Sequence, residues 1–129
     1  MTDPAFHLLP AAPARRAFSH AVESDGWVIL TGQMPTDPAA PTRPARWHRS
    51  QTVRVMKNLH LVLRELGLGL DHILQCRCFL THFDRDYAAF NATYRRFFPE
   101  NRLPARTTVG VTALVLGALV EIDAIARRP

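Results

Sequence analysis

The chain has 129 residues, 47% hydrophobic and 21% charged, with a formal net charge of +5, the profile of one globular domain long enough to bury a real core. Its longest weakly polar run, Val109 to Val120, falls well short of the ~20 apolar residues of a membrane helix. The opening MTDPAFHLLP has no basic region followed by an apolar run, so no membrane partner and a cytoplasmic address are expected.

In chain order, residues 1–16 carry Pro4, Pro10 and Pro13 and read as an irregular lead-in to a single domain spanning 1–129. Phe18 to Val22 reads as a short strand, Ser24-Asp25-Gly26 as a turn, and Trp27 to Thr31 as a second strand closed by Gly32. Pro35, Pro38, Pro41 and Pro44 make 34–44 a loop. Val53, Met56, Leu59, Leu63 and Leu66 recur at helical spacing, so a helix is expected from Ala45 or Ser50 to Leu66, stopped by Gly67. His72 to Thr81 alternates as a strand, with Leu74, Cys76, Cys78 and Leu80 on one face. A second helix starts near Asp84, carrying Tyr87, Phe90, Tyr94 and Phe97, and ends before Pro99. Two strands, 106–112 and 118–127, complete the order ββαβαββ. Two helices over one face of a mixed sheet make an α+β sandwich of two layers.

The chemistry-bearing residues exclude several classes. Cys76 and Cys78 share a strand face and are not expected to bridge, and no second cysteine pair completes a zinc site. The six histidines form no i,i+4 pair and no HExxH, so neither metal nor cofactor is expected. Fifteen of the 16 basic residues are arginine, spread from Arg15 to Arg128, densest at Arg43, Arg46 and Arg49 beside Trp47. A solvated basic face accounts for this, and RNA binding is the alternative; charge alone gives only salt-sensitive, non-specific attraction.

The last two strands are the informative ones. Arg106, Thr108, Gly110 and Thr112 alternate onto one face of the first. In the second, Ala118, Val120, Ile122, Ala124 and Ala126 form an apolar face suited to overlying helices, while Leu119, Glu121, Asp123 and Ile125 point the other way. No helix remains to cover that mixed face, so another copy of the chain is expected against it, with Arg106 and Glu121 together near an interface pocket. A simple cross-strand ion pair between Arg106 and Glu121 is the other reading of the same pattern.

PARTTVGV (104–111) followed by GALVEIDAIA (117–126) resembles the C-terminal signature of the RidA/YjgF family, also called endoribonuclease L-PSP. Thr31-Gly32-Gln33-Met34-Pro35, the spacing of Gln51, Asn58 and Gly67, and Asp86-Tyr87 through Asn91 and Tyr94 to Phe97-Phe98 extend the resemblance over most of the chain. The resemblance implies a chorismate-mutase-like homotrimer whose intersubunit clefts hydrolyse 2-imino acids or enamines to 2-oxo acids and ammonia, without a cofactor. It assigns the substrate carboxylate to Arg106 and water activation to Glu121, both catalytic, with Thr108, Thr31, Phe18, Asn91 and Tyr94 lining the substrate site. An arginine suits that carboxylate because it offers two parallel charge-assisted hydrogen bonds. Phe18, Thr31 and Thr108 stand where the family often has tyrosine, serine and cysteine, which leaves the substrate's side chain open. His20 is an outside candidate for the pocket. RNA cleavage and non-catalytic binding of small carboxylates are the alternative functions.

Overall fold

Asp25 and Gly26 both take positive φ, 51° and 82°, the two-residue turn that matches the twist of a hairpin. They join β2 (Ala21–Ser24) to β3 (Trp27–Gln33) in the computed structural model, which describes residues 3–12, 17–44 and 48–129. The side chains of Arg43, Arg46, Trp47 and Arg49, the densest basic set of the sequence, lie outside the described residues. Upstream, the expected irregular lead-in contains β1 (Ala5–His7), which pairs antiparallel with β2 and forms one edge of the sheet. Three residues are too few for a period-2 signal, so only pairing reveals this strand. The expected loop at 34–44 is likewise a small ribbon of β4 (Thr36–Asp37) and β5 (Ala40–Pro44). Proline is tolerated there because each strand of a two-stranded ribbon has one unpaired edge.

Helix α1 (His48–Glu65) buries Val55, Met56, Leu59, Val62 and Leu63. Gly67 ends it at φ 75°, with Gly67 N–H donating to Arg64 O at 3.0 Å and Leu68 N–H to Leu63 O at 2.8 Å, the paired bonds of a Schellman cap. Next come β6 (Ile73–Leu80), α2 (Phe83–Tyr94) extended by a 3₁₀ turn, β7 (Ala105–Gly110) and β8 (Val120–Arg127). The six-stranded sheet runs β1-β2-β3-β8-β6-β7, with β6 and β7 parallel across the α2 crossover and every other pair antiparallel. This is the expected α+β architecture, with both helices packed on one sheet face.

Residues side by side in a ladder share a face. The row Ala21–Leu30–Ala124–Cys76 is buried beneath the helices, and its last member on β7 is Arg106. The row Phe6–Val22–Ile29–Ile125 faces away from them, leaving Phe6 66% and Ile29 55% exposed. Two expectations about the sheet change. A register shift between Ile73 and Gln75 turns Leu74 outward, so it is exposed while Ile73 is buried; a bulge breaks the alternation on which face assignment depends. The last two strands are also not neighbours, because β6 lies between β8 and β7.

Candidate functional site

Arg106 begins where the core row runs out. β7 is an edge strand, so the side chain has no further strand beside it and folds back over α2. Its guanidinium lies 4.8 Å from the Tyr94 ring centroid and 5.5 Å from that of Phe90. Its Nη2 donates to Asn91 Oδ1 at 2.7 Å. Phe90 and Asn91 each neighbour Tyr94 on α2, standing four and three residues before it. Among the described residues no carboxylate pairs with Arg106. A cation held by ring faces and an amide oxygen keeps its charge available to an anionic ligand, and its ring contacts fix the fork's orientation. It opens on a cavity of about 250 Å³ lined by Asn91, Tyr94, Arg95, Leu103, Pro104 and Arg106.

Two hydroxyls near this cation point inward. The Tyr94 hydroxyl and Thr108 Oγ1 are buried and lie beside the thiols of Cys76 and Cys78 respectively. Tyr94 therefore serves the cavity with its ring. Burial pushes the Cys76 thiol up to about 11 and the Cys78 thiol up to about 12, which keeps both protonated and unreactive near neutral pH.

Glu121 stands elsewhere. It pairs with Phe79 in the ladder, one residue out of phase with the buried Val120 and Ile122, and so projects from the face the helices leave bare. Burial, and then the neighbouring Asp123 carboxylate, raise its carboxyl above the usual range. Asp123 is itself clamped by Arg77, whose Nε reaches both carboxylate oxygens at 3.1 Å and whose Nη2 donates at 2.6 Å. Glu121 has no hydrogen-bond or ion-pair partner among the described residues. A half-buried carboxylate without a counter-charge is the environment that suits a general base working near neutral pH.

The strands around Glu121 are tied by buried polar groups. Gln51 of α1 accepts from Leu119 N–H at 2.8 Å, just before β8 begins. Asn58 donates to both Met34 O and Thr36 O at 2.8 Å, just after β3 ends. Thr31 Oγ1 donates to Ser19 O at 2.5 Å, holding the half-exposed Phe18 segment against β3. His20 is buried, and its Nδ1 accepts from Leu9 N–H at 2.8 Å, which ties the N-terminal segment to the sheet.

The expected site thus divides. Arg106, Asn91 and Tyr94 meet on the helix-covered side, with Thr108 beneath them. Glu121 projects from the opposite face, on the strand that pairs with the β3 carrying Thr31. Two strand spacings and a three-residue offset put the Arg106 and Glu121 backbones roughly 14 Å apart. Both the shared face and the cross-strand ion pair are corrected by this geometry; β6 intervenes, and β7 carries Arg106 in the other phase. Arg95, Leu103 and Pro104 line the cavity without having been singled out from sequence, and Gly32 lies against Glu121. The glycine interrupting an otherwise β-prone run was the available signal for that contact.

Fold and site together define a small α+β protein that presents, on opposite faces of one sheet, an arginine and a carboxylate that have no ion-pair partner among the described residues. The chain belongs to the RidA/YjgF family: the family model described as Endoribonuclease L-PSP matches residues 9–128. Protein DfrA of Myxococcus xanthus is 41% identical over 128 residues, covering 98% of this chain and 96% of that protein. The crystal structure of yeast YEO7 superposes with a TM-score of 0.91 at 29% identity, covering 98% of this chain and all of the other. That of TdcF from E. coli, with bound serine, gives 0.87 at 26% identity over 97% and 99%.

Proposed function

We propose that the protein hydrolyses 2-imino acids, or their enamine tautomers, to 2-oxo acids and ammonia, in a cleft that two copies of the chain build together. The observation that carries this reading is Arg106, fixed in orientation by Asn91, Phe90 and Tyr94 yet paired with no acid among the described residues. The substrate carboxylate would take its fork. Serine bound to the E. coli relative has the same α-carboxylate. Glu121 then acts as the base. Water adds to the C=N carbon as it gives a proton to the Glu121 carboxylate, and Glu121 passes that proton to the nitrogen. The resulting carbinolamine collapses to the 2-oxo acid and expels ammonia as Glu121 takes the proton of the new hydroxyl and delivers it to the departing amine. Because one chain holds Arg106 and Glu121 on opposite sheet faces, Glu121 of one copy must meet Arg106 of the next. General-base assistance of this kind is worth ~10²–10⁴-fold, enough for a reaction that already proceeds in water.

The test generates imines in situ with an amino-acid oxidase and follows 2-oxo acid release with and without the protein. The protein should accelerate release for at least one side chain. Arg106→Ala should weaken 2-oxo acid binding about tenfold to more than hundredfold, the worth of a lost hydrogen bond to a charged group. No acceleration for any imine, or undiminished 2-oxo acid binding by Arg106→Ala, would overturn the proposal.

A further inference from the structure

Of the six glycines, three occupy left-handed backbone: Gly26, Gly67 and Gly117 have φ of 82°, 75° and 64°. Gly32 does not. Its backbone lies outside the region that favours glycine, so conformation does not explain it. Space does. A Cβ built on Gly32 would stand 2.9 Å from Glu121 Cδ and 3.3 Å from Cγ, with Oε2 nearer still. The β3–β8 ladder slips register between Leu30 and Gln33, and this irregularity sets Gly32 against Glu121 where regular pairing would place another side chain.

We propose that Gly32 is the positioning residue for Glu121: the missing side chain on β3 is the seat in which the carboxylate rests. The proposal rests on reading Glu121 as the general base. Among the described residues no cation and no hydrogen-bond donor holds this carboxylate, so the shape of the surface beneath it does. Its neighbour Asp123 shows the contrast, being oriented by a three-bond clamp from Arg77. A general base fixed by shape needs no direct ion pair within its own chain to orient it, and so remains able to take a proton from water while the neighbour's Arg106 is engaged by the substrate carboxylate.

The three atoms nearest a methyl at position 32 would all belong to the flexible Glu121 side chain, its carboxyl group foremost. The fold can therefore accept it, and the carboxylate must move. Displacement of a reacting group by around 1 Å can cost on the order of 10²-fold in rate. Gly32→Ala should therefore lower kcat for imine hydrolysis by about tenfold to hundredfold. KM and 2-oxo acid affinity should hold, since Arg106 is untouched, and the thermal midpoint and assembly state should match the wild type.

The deciding measurement is a double-mutant cycle. Glu121→Asp draws the carboxylate back by one methylene, and Gly32→Ala fills the space with one methyl. Each alone should impair kcat, while the pair should recover activity beyond the product of the two single effects. Strictly multiplicative losses, or full kcat in Gly32→Ala, would overturn the proposal and leave Glu121 as base intact. A fall in thermal midpoint that accounts for the lost activity would also overturn it, because Gly32 would then be structural. Full activity in Glu121→Gln would instead defeat the general-base reading itself, so the two failures are distinguishable.

Discussion

At the scale of single residues, the proposed role of Glu121 as a base and its effect on stability pull in opposite directions. Burial raises its folded carboxyl pKa above the ordinary 4.5, with Asp123 adding to the shift. In the window from 4.5 up to the raised folded value, the folded chain holds a proton that the unfolded chain has released. Stability therefore falls as pH rises through that window, and the full penalty is present above it. Glutamine has a similar shape and no charge to desolvate. Glu121→Gln should accordingly unfold at a higher temperature than the wild type at pH 7, with the advantage gone below about pH 4, where the wild-type carboxyl is neutral too. Its imine hydrolysis should fall by about 10²–10⁴-fold at the same time. Calorimetry at the two pH values checks the first part, and a lower thermal midpoint at pH 7 would contradict the burial argument.

Among the elements, α1 does more than cover the sheet. Its buried Asn58 donates to carbonyls on either side of the turn between β3 and β4, and its buried Gln51 receives the N–H that precedes β8. These two strands carry Gly32 and Glu121, so polar groups on the helix hold both sides of that contact. Asn58→Ala would leave two carbonyls without donors, and an orphaned buried polar group costs about 1–3 kcal/mol. Urea unfolding should show a lower midpoint with an unchanged m-value; an unchanged midpoint would mean that water replaces the amide. How much of this was legible in the sequence depended on the kind of signal. Helical periodicity located α1 and α2, strand alternation located the apolar face of β8, and the resemblance named Asn91 and Tyr94 as companions of Arg106. The resemblance singled out Gln51 and Asn58 by spacing without showing that they bind backbone. β1, β4 and β5 are too short to show a period. Leu74 was assigned to the wrong face because a bulge shifts alternation by one residue. The β7–β8 adjacency failed for a deeper reason: strand order is a nonlocal property, and β6 can insert between two consecutive strands without leaving any mark on either.

For the whole molecule, the bare sheet face is the outstanding fact. Ile29 is 55% exposed, Phe6 66% and Val109 40%, and the ladder puts Phe6 and Ile29 in one row with Val109 in the row of Phe79 and Glu121. Apolar side chains gathered on one side of a sheet mark an interaction surface, and the proposed function requires a second copy of the chain there. If three copies close around these faces, each Glu121 can approach the neighbour's Arg106, which no bend within one chain achieves while Asn91, Phe90 and Tyr94 hold that arginine over α2. Assembly and activity then become one property. Ile29→Glu tests this, because the side chain is exposed in the single chain and its charge costs the isolated fold little, whereas burying it in an interface without a partner is expensive. Light scattering should show the wild type near three times 14.5 kDa and the variant as a folded monomer. Imine hydrolysis should fall to the level of Glu121→Gln although Arg106 and Glu121 are both unchanged. Monomeric wild-type protein, or a monomeric variant with full activity, would show that one chain completes the site, and the division of Arg106 and Glu121 between the two sheet faces would then have no catalytic meaning.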